Sequence, residues 1–287
     1  MNALPRTTCT TGTVSLDVFE RLSSLIMSEL GIKMPPSKKT MLEARLAKRM
    51  RDLNIDDLGE YVRFLFTPEG TSRELPHMLD AVTTNKTDFF REPQHFTYLA
   101  EHAVPTLVAS TGAGMRRPLM VWSAACSSGE EAYTLAMVLK EYATHHPGFR
   151  FMVLGTDVSN RMIETARLAI YQDTRAEPIP LHLREKYLLK SKDRSKKLVR
   201  IAPEIRSVVR FRRLNFLEED YQLREKMDVI FCRNVLIYFE RATQEKVLRH
   251  LCEHLAHGGY MFTGHSETIS GMNLPLRSVS GTVSRRT

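Results

Sequence analysis

Asp157, Glu131 and Asn215 are the side chains whose types and spacing best suit them to binding chemistry. Asp157 ends a second apolar run, 151–154, one helix after the apolar run 119–122 and the small-residue turn Ala124-Ala125-Cys126-Ser127-Ser128-Gly129. Strand, tight turn, helix, strand and then a carboxylate is the plan of a nucleotide-binding βαβ unit, where the acid accepts from a ribose diol. Asp157 and Ser159 also suit the N-cap of the next helix. Glu131 opens the intervening helix, where the macrodipole alone favours it; otherwise it accepts from a ligand's ammonium or a ribose hydroxyl. Asn215-Phe216 offers an amide for an adenine edge and a ring for its face, or a turn asparagine beside a core phenylalanine. The turn has one glycine and no G-x-G-x-x-G, so close approach to a pyrophosphate is not provided for and a nicotinamide dehydrogenase is disfavoured. A nucleoside without phosphates fits better. Adenosylmethionine is the candidate cofactor.

Further residues stand at the same edge. Arg91 follows Phe89-Phe90, either as an exposed basic residue or as a forked clamp on a carboxylate. Arg233-Asn234 and Tyr238 lie beyond the buried strand 227–232, facing the crevice edge of Asp157; loop capping and a helix-face tyrosine are the plainer roles. His250, His254 and His257 recur at helical spacing near Cys252, but no acidic or cysteine ligand completes that face, so no metal is expected. The cysteines at 9, 126, 232 and 252 show no zinc-site spacing and read as free thiols in a reducing cytosol.

The elements that must position these groups follow from the apolar pattern. At 287 residues, 43% hydrophobic and 26% charged, the chain suits one or two globular domains. No apolar run approaches the ~20 residues of a membrane span, and the N-terminus lacks a signal-peptide core, so a cytoplasmic protein is expected. Residues 1–14 are Thr-rich and expected to be disordered. Residues 15–82 predict four short helices: one capped by Ser15 with Phe19, Leu22, Ile26 and Leu30 inward and stopped by Gly31; one from about Ser37 with Leu42, Leu46, Met50 and Leu53; one with Leu58, Tyr61, Val62 and Leu65; one with Leu75, Met78, Leu79 and Val82. Residues 83–117 form a polar connector and a further helix. Residues 118–287 are α/β, and the strand-like runs near 187–189, 198–201 and 208–211 predict an antiparallel insert at about 180–212. A helix over 243–256 should end at Gly258-Gly259, with a strand resuming at Tyr260.

The formal charge of +8 implies an acidic partner: nucleic acid, anionic lipid or an acidic protein surface. Residues 38–51 are amphipathic and basic, with Lys38, Arg45, Lys48, Arg49 and Arg51 largely off the apolar face. That stretch is either a solvated face or an acidic partner's docking site.

Taken together, four segments and two single positions resemble the CheR-type chemotaxis receptor methyltransferases. They are Thr84-Asn85-Lys86-Thr87-x-Phe89-Phe90-Arg91-Glu92, the segment from Trp122 to Tyr133, Asp157 with Asn215, Cys232-Arg233-Asn234-Val235-Leu236-Ile237-Tyr238-Phe239, and Gly264-His265-Ser266-Glu267. The resemblance runs from about Leu16 to about Val283. It implies a Rossmann-like class I methyltransferase domain, an N-terminal all-helical domain and an inserted three-stranded antiparallel β-subdomain. It also implies methylation of receptor glutamates with S-adenosylmethionine, leaving S-adenosylhomocysteine. By the same resemblance Asn85, Thr87 and Arg91 lie along the cofactor, Glu131 and Asp157 hold its amino-acid and ribose parts, and Asn215, Phe216, Arg233 and Asn234 line its other side. Tyr238 reaches toward the methyl group and the basic second helix meets the receptor's cytoplasmic helices. Two departures stand out. The loop 190–197 is lysine-rich and lacks glycines, against tethering of a receptor's C-terminal peptide by strand addition. Ser284 stands where an aromatic residue is usual, which predicts a weaker last hairpin.

A glutamate acceptor is already ionised at neutral pH, so the reaction calls for no general base. The rivals are an RNA or nitrogen methyltransferase and a non-catalytic adenosylmethionine-binding signalling protein. The first is opposed by Arg233-Asn234-Val235-Leu236 in place of an Asn-Pro-Pro-Tyr turn, and by the lack of aromatic residues in 38–51.

Overall fold

A computed structural model describes residues 16–287, apart from the side chain of residue 194. The Ser15 cap and the expected disorder of 1–14 lie outside the described residues. The chain divides into two compact units between Thr84 and Asn85.

The first unit is helical: α1 (Leu16–Leu30), α2 (Lys39–Asp52), α3 (Leu58–Leu65), α4 (Pro68–Arg73) and α5 (Leu75–Val82). The apolar stripe of α1 buries Phe19, Leu22, Ile26 and Leu30, and Gly31 takes the left-handed conformation that ends the helix, with φ 69°. On α2 only Leu42 and Leu46 are buried; Met50 and Leu53 are half-exposed. Among the described residues there are five α-helices rather than four. The sequence of α4 has no apolar stripe and declares itself only by its cap: Thr67 Oγ1 accepts from Gly70 N at 3.0 Å, with Pro68 at the first helical position. Inside this unit Glu74 is buried, and Arg49 donates to its two oxygens at 2.9 and 2.6 Å while the Tyr61 hydroxyl donates at 2.9 Å.

The second unit starts with α6 (Gln94–Tyr98), a π-turn at Leu99–Ala103 and α7 (Val104–Thr111). Then come β1 (Leu119–Ala124), α8 (Glu130–His145), β2 (Phe151–Asp157), α9 (Asn160–Leu168) and β3 (Ile170–Gln172). The chain continues through α10 (Leu181–Tyr187), β4 (Leu188–Lys190), β5 (Leu198–Ile201), α11 (Pro203–Arg206) and β6 (Val209–Arg213). It ends with β7 (Met227–Cys232), α12 (Arg241–His254), β8 (Leu255–Thr263), β9 (Leu276–Ser280) and β10 (Val283–Arg286). Seven strands make one sheet in the order β6-β2-β1-β7-β8-β10-β9, parallel from β6 to β8 and closed by the antiparallel β10 and β9. The order reverses direction between β1 and β7, which is where such sheets bind ligands.

The small sheet corrects the sequence expectation. Its order is β3-β5-β4, so its third strand is Ile170–Gln172, ahead of the predicted insert. The run 208–211 belongs to β6, which pairs parallel with β2 from Val153↔Val209 to Asp157↔Arg213. Short apolar runs look alike in either sheet; burial against Gly155 decides. A Cβ on Gly155 would lie 2.6 Å from the Phe211 ring, so β6 docks its aromatic ring onto β2 where a side chain is missing. β8 also begins earlier than expected, at Leu255, absorbing Gly258 (φ 74°) where the β7–β8 register shifts. Ser284 is buried in β10, beside a register shift between Val283 and Ser284.

The histidines of α12 have an aromatic role. Tyr221 stacks on His250 at 3.9 Å and on His254 at 5.4 Å between ring centroids. No described helix is long and apolar enough to cross a membrane.

Candidate active site

Because β2, β1 and β7 run parallel and adjacent, Asp157, Ala124 and Cys232 end at one edge of the sheet. Beyond β1 the chain turns tightly, with left-handed backbone at Ala125 (φ 65°), Ser127 (φ 49°) and Gly129 (φ 95°). Glycine is required at the last position: a Cβ there would sit 2.8 Å from that of Ala166. Asp157 holds this turn. Its carboxylate accepts from Ser127 N at 2.8 Å and from Ser159 N at 2.9 Å. The cap of α9 is Ser159, whose Oγ accepts from Met162 N at 3.1 Å, so capping does not account for Asp157. Ser127 Oγ donates to the Asn85 carbonyl at 3.0 Å, bringing the connector onto the same edge.

The connector is held at several points. Arg175 Nη2, from the segment after β3, donates to the Thr87 carbonyl at 2.9 Å and approaches buried Glu130 Oε1 at 2.6 Å. Phe90 N donates to Thr134 Oγ1 at 3.2 Å, and Phe90 and Glu92 both have left-handed backbone, φ 54° and 56°. Between them the half-buried Arg91 donates from Nη1 to the Lys86 carbonyl at 3.2 Å.

Arg233 is the strut of the site. Its side chain is 2% exposed. Nε donates to Glu131 Oε2 at 2.7 Å; Nη1 reaches the Arg91 carbonyl at 2.9 Å, Glu92 Oε2 at 3.2 Å and His95 Nδ1 at 3.0 Å. The guanidinium carbon also lies 5.2 and 5.4 Å from the ring centroids of Phe96 and Phe231. A guanidinium only donates, so His95 Nδ1 accepts and Nε2 carries the proton toward Thr282 Oγ1, 2.7 Å away. Burial, then the Arg233 charge, push His95 down to about 4 and keep it neutral. Glu131 is equally committed: Oε1 accepts from Ser123 Oγ at 2.7 Å while Oε2 faces Arg233. Glu92, His95 and His265 put one ligand atom each within 4.8 Å of one another, but Arg233 already donates to two of the three. A protein cation stands where a metal ion would.

Asn234 takes left-handed backbone (φ 59°) and donates from Nδ2 to Glu92 Oε1 at 3.1 Å. Tyr238 is half-buried at the end of the 3-10 turn Leu236–Tyr238. Asn215 accepts at Oδ1 from Leu217 N at 3.1 Å, as a turn asparagine does, and Phe216 packs 6.4 Å from both the Tyr221 and Phe239 rings. The structure therefore links two groups by hydrogen bonds: Asp157 with the Asn85 backbone, and Glu131, Arg233 and Asn234 with the Arg91 segment. Glu92, His95, Arg175 and Glu267 complete these networks and escaped the sequence reading. Glu92 and Glu267 stood inside quoted motifs, but their partners are far away in sequence.

In the first unit the basic residues of α2 divide. Arg45 donates to the Val82 carbonyl and, at 2.8 Å, to Thr84 Oγ1; Arg49 is spent on Glu74 and Asp52. Lys48 and Arg51 are exposed and Lys38 is half-exposed.

Residues 85–285 match the SAM-binding domain of the CheR methyltransferases and residues 17–83 match the all-alpha domain of the same family. The chain belongs to the CheR methyltransferase family. Its second unit is thus a Rossmann-like class I methyltransferase domain whose cofactor is S-adenosylmethionine, and the chain is an enzyme. It is 35% identical to a chemotaxis protein methyltransferase of Borreliella burgdorferi over 259 residues, 90% of each chain. It is 37% identical to that of Salmonella typhimurium over 256 residues, 88% of this chain and 84% of the other. Chemotaxis protein methyltransferase 2 of Pseudomonas aeruginosa is 34% identical over 266 residues, 92% and 91% of the two chains.

The residues at the strand edge of this chain suit that cofactor. Asp157 is the last residue of β2 at this edge, where a carboxylate suits a ribose diol. The turn that Asp157 organises brings one glycine and two serines, not a phosphate cradle.

Proposed function

We propose that this enzyme methylates glutamate side chains of chemoreceptors in the cytoplasm, giving glutamate methyl esters and S-adenosylhomocysteine. One observation carries the proposal: both CheR domains match in order, over residues 17–83 and 85–285, beside relatives named chemotaxis protein methyltransferases.

The cofactor supplies a methyl group bonded to a sulfonium. In the transfer the acceptor oxygen forms a C–O bond as the C–S bond breaks, and no proton moves. The site agrees with this economy. His95 is neutral and locked between Arg233 and Thr282, and the carboxylates Glu131 and Glu92 face Arg233. Opposite charges cancel as the bond forms, so a dry, aligned site serves better than a strongly charged one. Alignment supplies up to about 7–11 kcal/mol. In this account Asp157 takes the ribose, and Asn85, Thr87, Asn215, Phe216 and Asn234 line the nucleoside and amino-acid parts. Arg91 and Tyr238 orient the reacting ends. Glu131 and Arg233 act beside them as the strut that holds the Arg91 backbone. Lys38, just before α2, and Lys48 and Arg51 on it remain for an acidic receptor face, whereas Arg45 and Arg49 serve the helical unit itself. Peptide capture by the lysine-rich 190–197 loop is not part of the proposal.

Calorimetry with S-adenosylhomocysteine tests the site. Asp157→Ala should weaken binding on the order of 10- to 100-fold, the loss of a charge-assisted pair. Arg91→Ala should cut turnover severely while the fold survives. Unchanged binding and near-normal turnover would refute these assignments.

A further inference from the structure

Glu267 follows β8 on a loop that lies against the segment carrying Asn234 and Tyr238, and no step above uses it. It is 6% exposed, and both of its oxygens are taken by backbone. Oε2 accepts from Asn234 N at 2.8 Å and from Gly264 N at 2.7 Å; Oε1 accepts from Leu236 N at 2.7 Å. Each donor belongs to chain that no strand or long helix could satisfy. Asn234 has left-handed backbone, Leu236 opens the single 3-10 turn that ends at Tyr238, and Gly264 directly follows β8. Without an acceptor these N–H groups would be orphaned, and the segment would relax to satisfy them elsewhere.

The fit is close. A Cβ on Gly264 would lie 2.6 Å from Asn234 Nδ2, 2.8 Å from Glu267 Oε2 and 2.9 Å from Asn234 N, so only glycine lets the two segments meet. Glu92 ties the other side of the same contact, accepting from Asn234 Nδ2 at 3.1 Å. The Glu267 carboxylate is committed to these three backbone amides.

We propose that Glu267 is a positioning residue for methyl transfer: its carboxylate fixes the backbone of 234–236 and thereby the place of Tyr238. This rests on the role proposed above for Tyr238. Charge and shape both matter. Glutamine can offer its oxygen to Asn234 and Gly264, but its amide then faces Leu236 N, donor against donor, at the turn that carries Tyr238.

The test is a double-mutant cycle on the full-length enzyme with Glu267→Gln, Tyr238→Phe and both together, reading kcat and the KM for S-adenosylmethionine. Glu267→Gln should lower kcat at least about tenfold with KM changed far less. In the Tyr238→Phe background it should cost no more than about twofold further, because the side chain it positions is already disabled. Should Glu267→Gln not fold, Gly264→Ala, which parts the same segments and leaves the carboxylate intact, takes its place in the cycle with the same expectation. Multiplicative losses, or wild-type kcat in Glu267→Gln while Tyr238→Phe is slow, would overturn the positioning role alone. Wild-type kcat in Tyr238→Phe would overturn the Tyr238 assignment and this inference with it.

Discussion

Replacing Arg233 by methionine is the sharpest perturbation of the second unit. Methionine keeps much of the length and the contact with Phe96 and Phe231, so what disappears is the charge and its hydrogen bonds. Four contacts go: Glu131 at 2.7 Å, the Arg91 carbonyl at 2.9 Å, His95 at 3.0 Å and Glu92 at 3.2 Å. The partners are buried too, the Glu131 and Glu92 side chains being 10% and 13% exposed. Removing one member of such a group leaves uncompensated buried charge, which costs about 3–5 kcal/mol. For a unit of roughly 200 residues each kcal/mol moves the melting midpoint about 2–4 °C, so a drop of roughly 6–20 °C is expected. Differential scanning calorimetry reads it. Imidazole NMR gives an independent check: His95 should titrate above its present value of about 4, since the Arg233 charge is the second cause of its depression after burial. Adding Glu131→Gln should recover part of the loss, because the orphaned carboxylate is neutralised. A midpoint within about 2 °C of wild type with His95 unmoved would refute the strut.

Two further outcomes follow from the same kind of argument. Glu74→Ala should cost the helical unit about 2–3 kcal/mol in urea unfolding, less than for a fully buried pair because Arg49 is 21% exposed; an unchanged urea midpoint would contradict it. His95 binds fewer protons folded than unfolded, so its contribution is whole above pH 6.5 and is lost as pH falls through about 4; it amounts to about 3 kcal/mol, and a His95→Gln variant should show a flatter decline in stability over that window.

Much of the fold was legible because burial leaves a period in the sequence. The α1 stripe and the β1-turn-α8-β2 unit were read from apolar spacing, and Asp157 from its place at a strand end. What escaped was decided by partners far along the chain. The 208–211 run and Ile170–Gln172 are both short apolar segments, and only Phe211 over Gly155 tells which sheet each joins. The basic run of α2 looked like one face until Glu74, 25 residues on, claimed Arg49. Arg233 was readable as a crevice residue, but nothing local reveals that its guanidinium faces inward to Glu131, 102 residues away. α12 offered histidines at ligand-like spacing, and Tyr221 turns them into a ring stack. Polar side chains carry no periodicity, so their networks become visible only when the sheet assembles them.

The central claim is transfer of a methyl group to a carboxylate. Incubating the enzyme and methyl-tritiated S-adenosylmethionine with membranes that carry candidate chemoreceptors, then treating the labelled receptor with alkali, tests it directly. Esters predict label released as volatile methanol and absent from receptors whose acceptor glutamates are replaced by alanine. Label that resists alkali, or that resides in nucleic acid, would contradict the account.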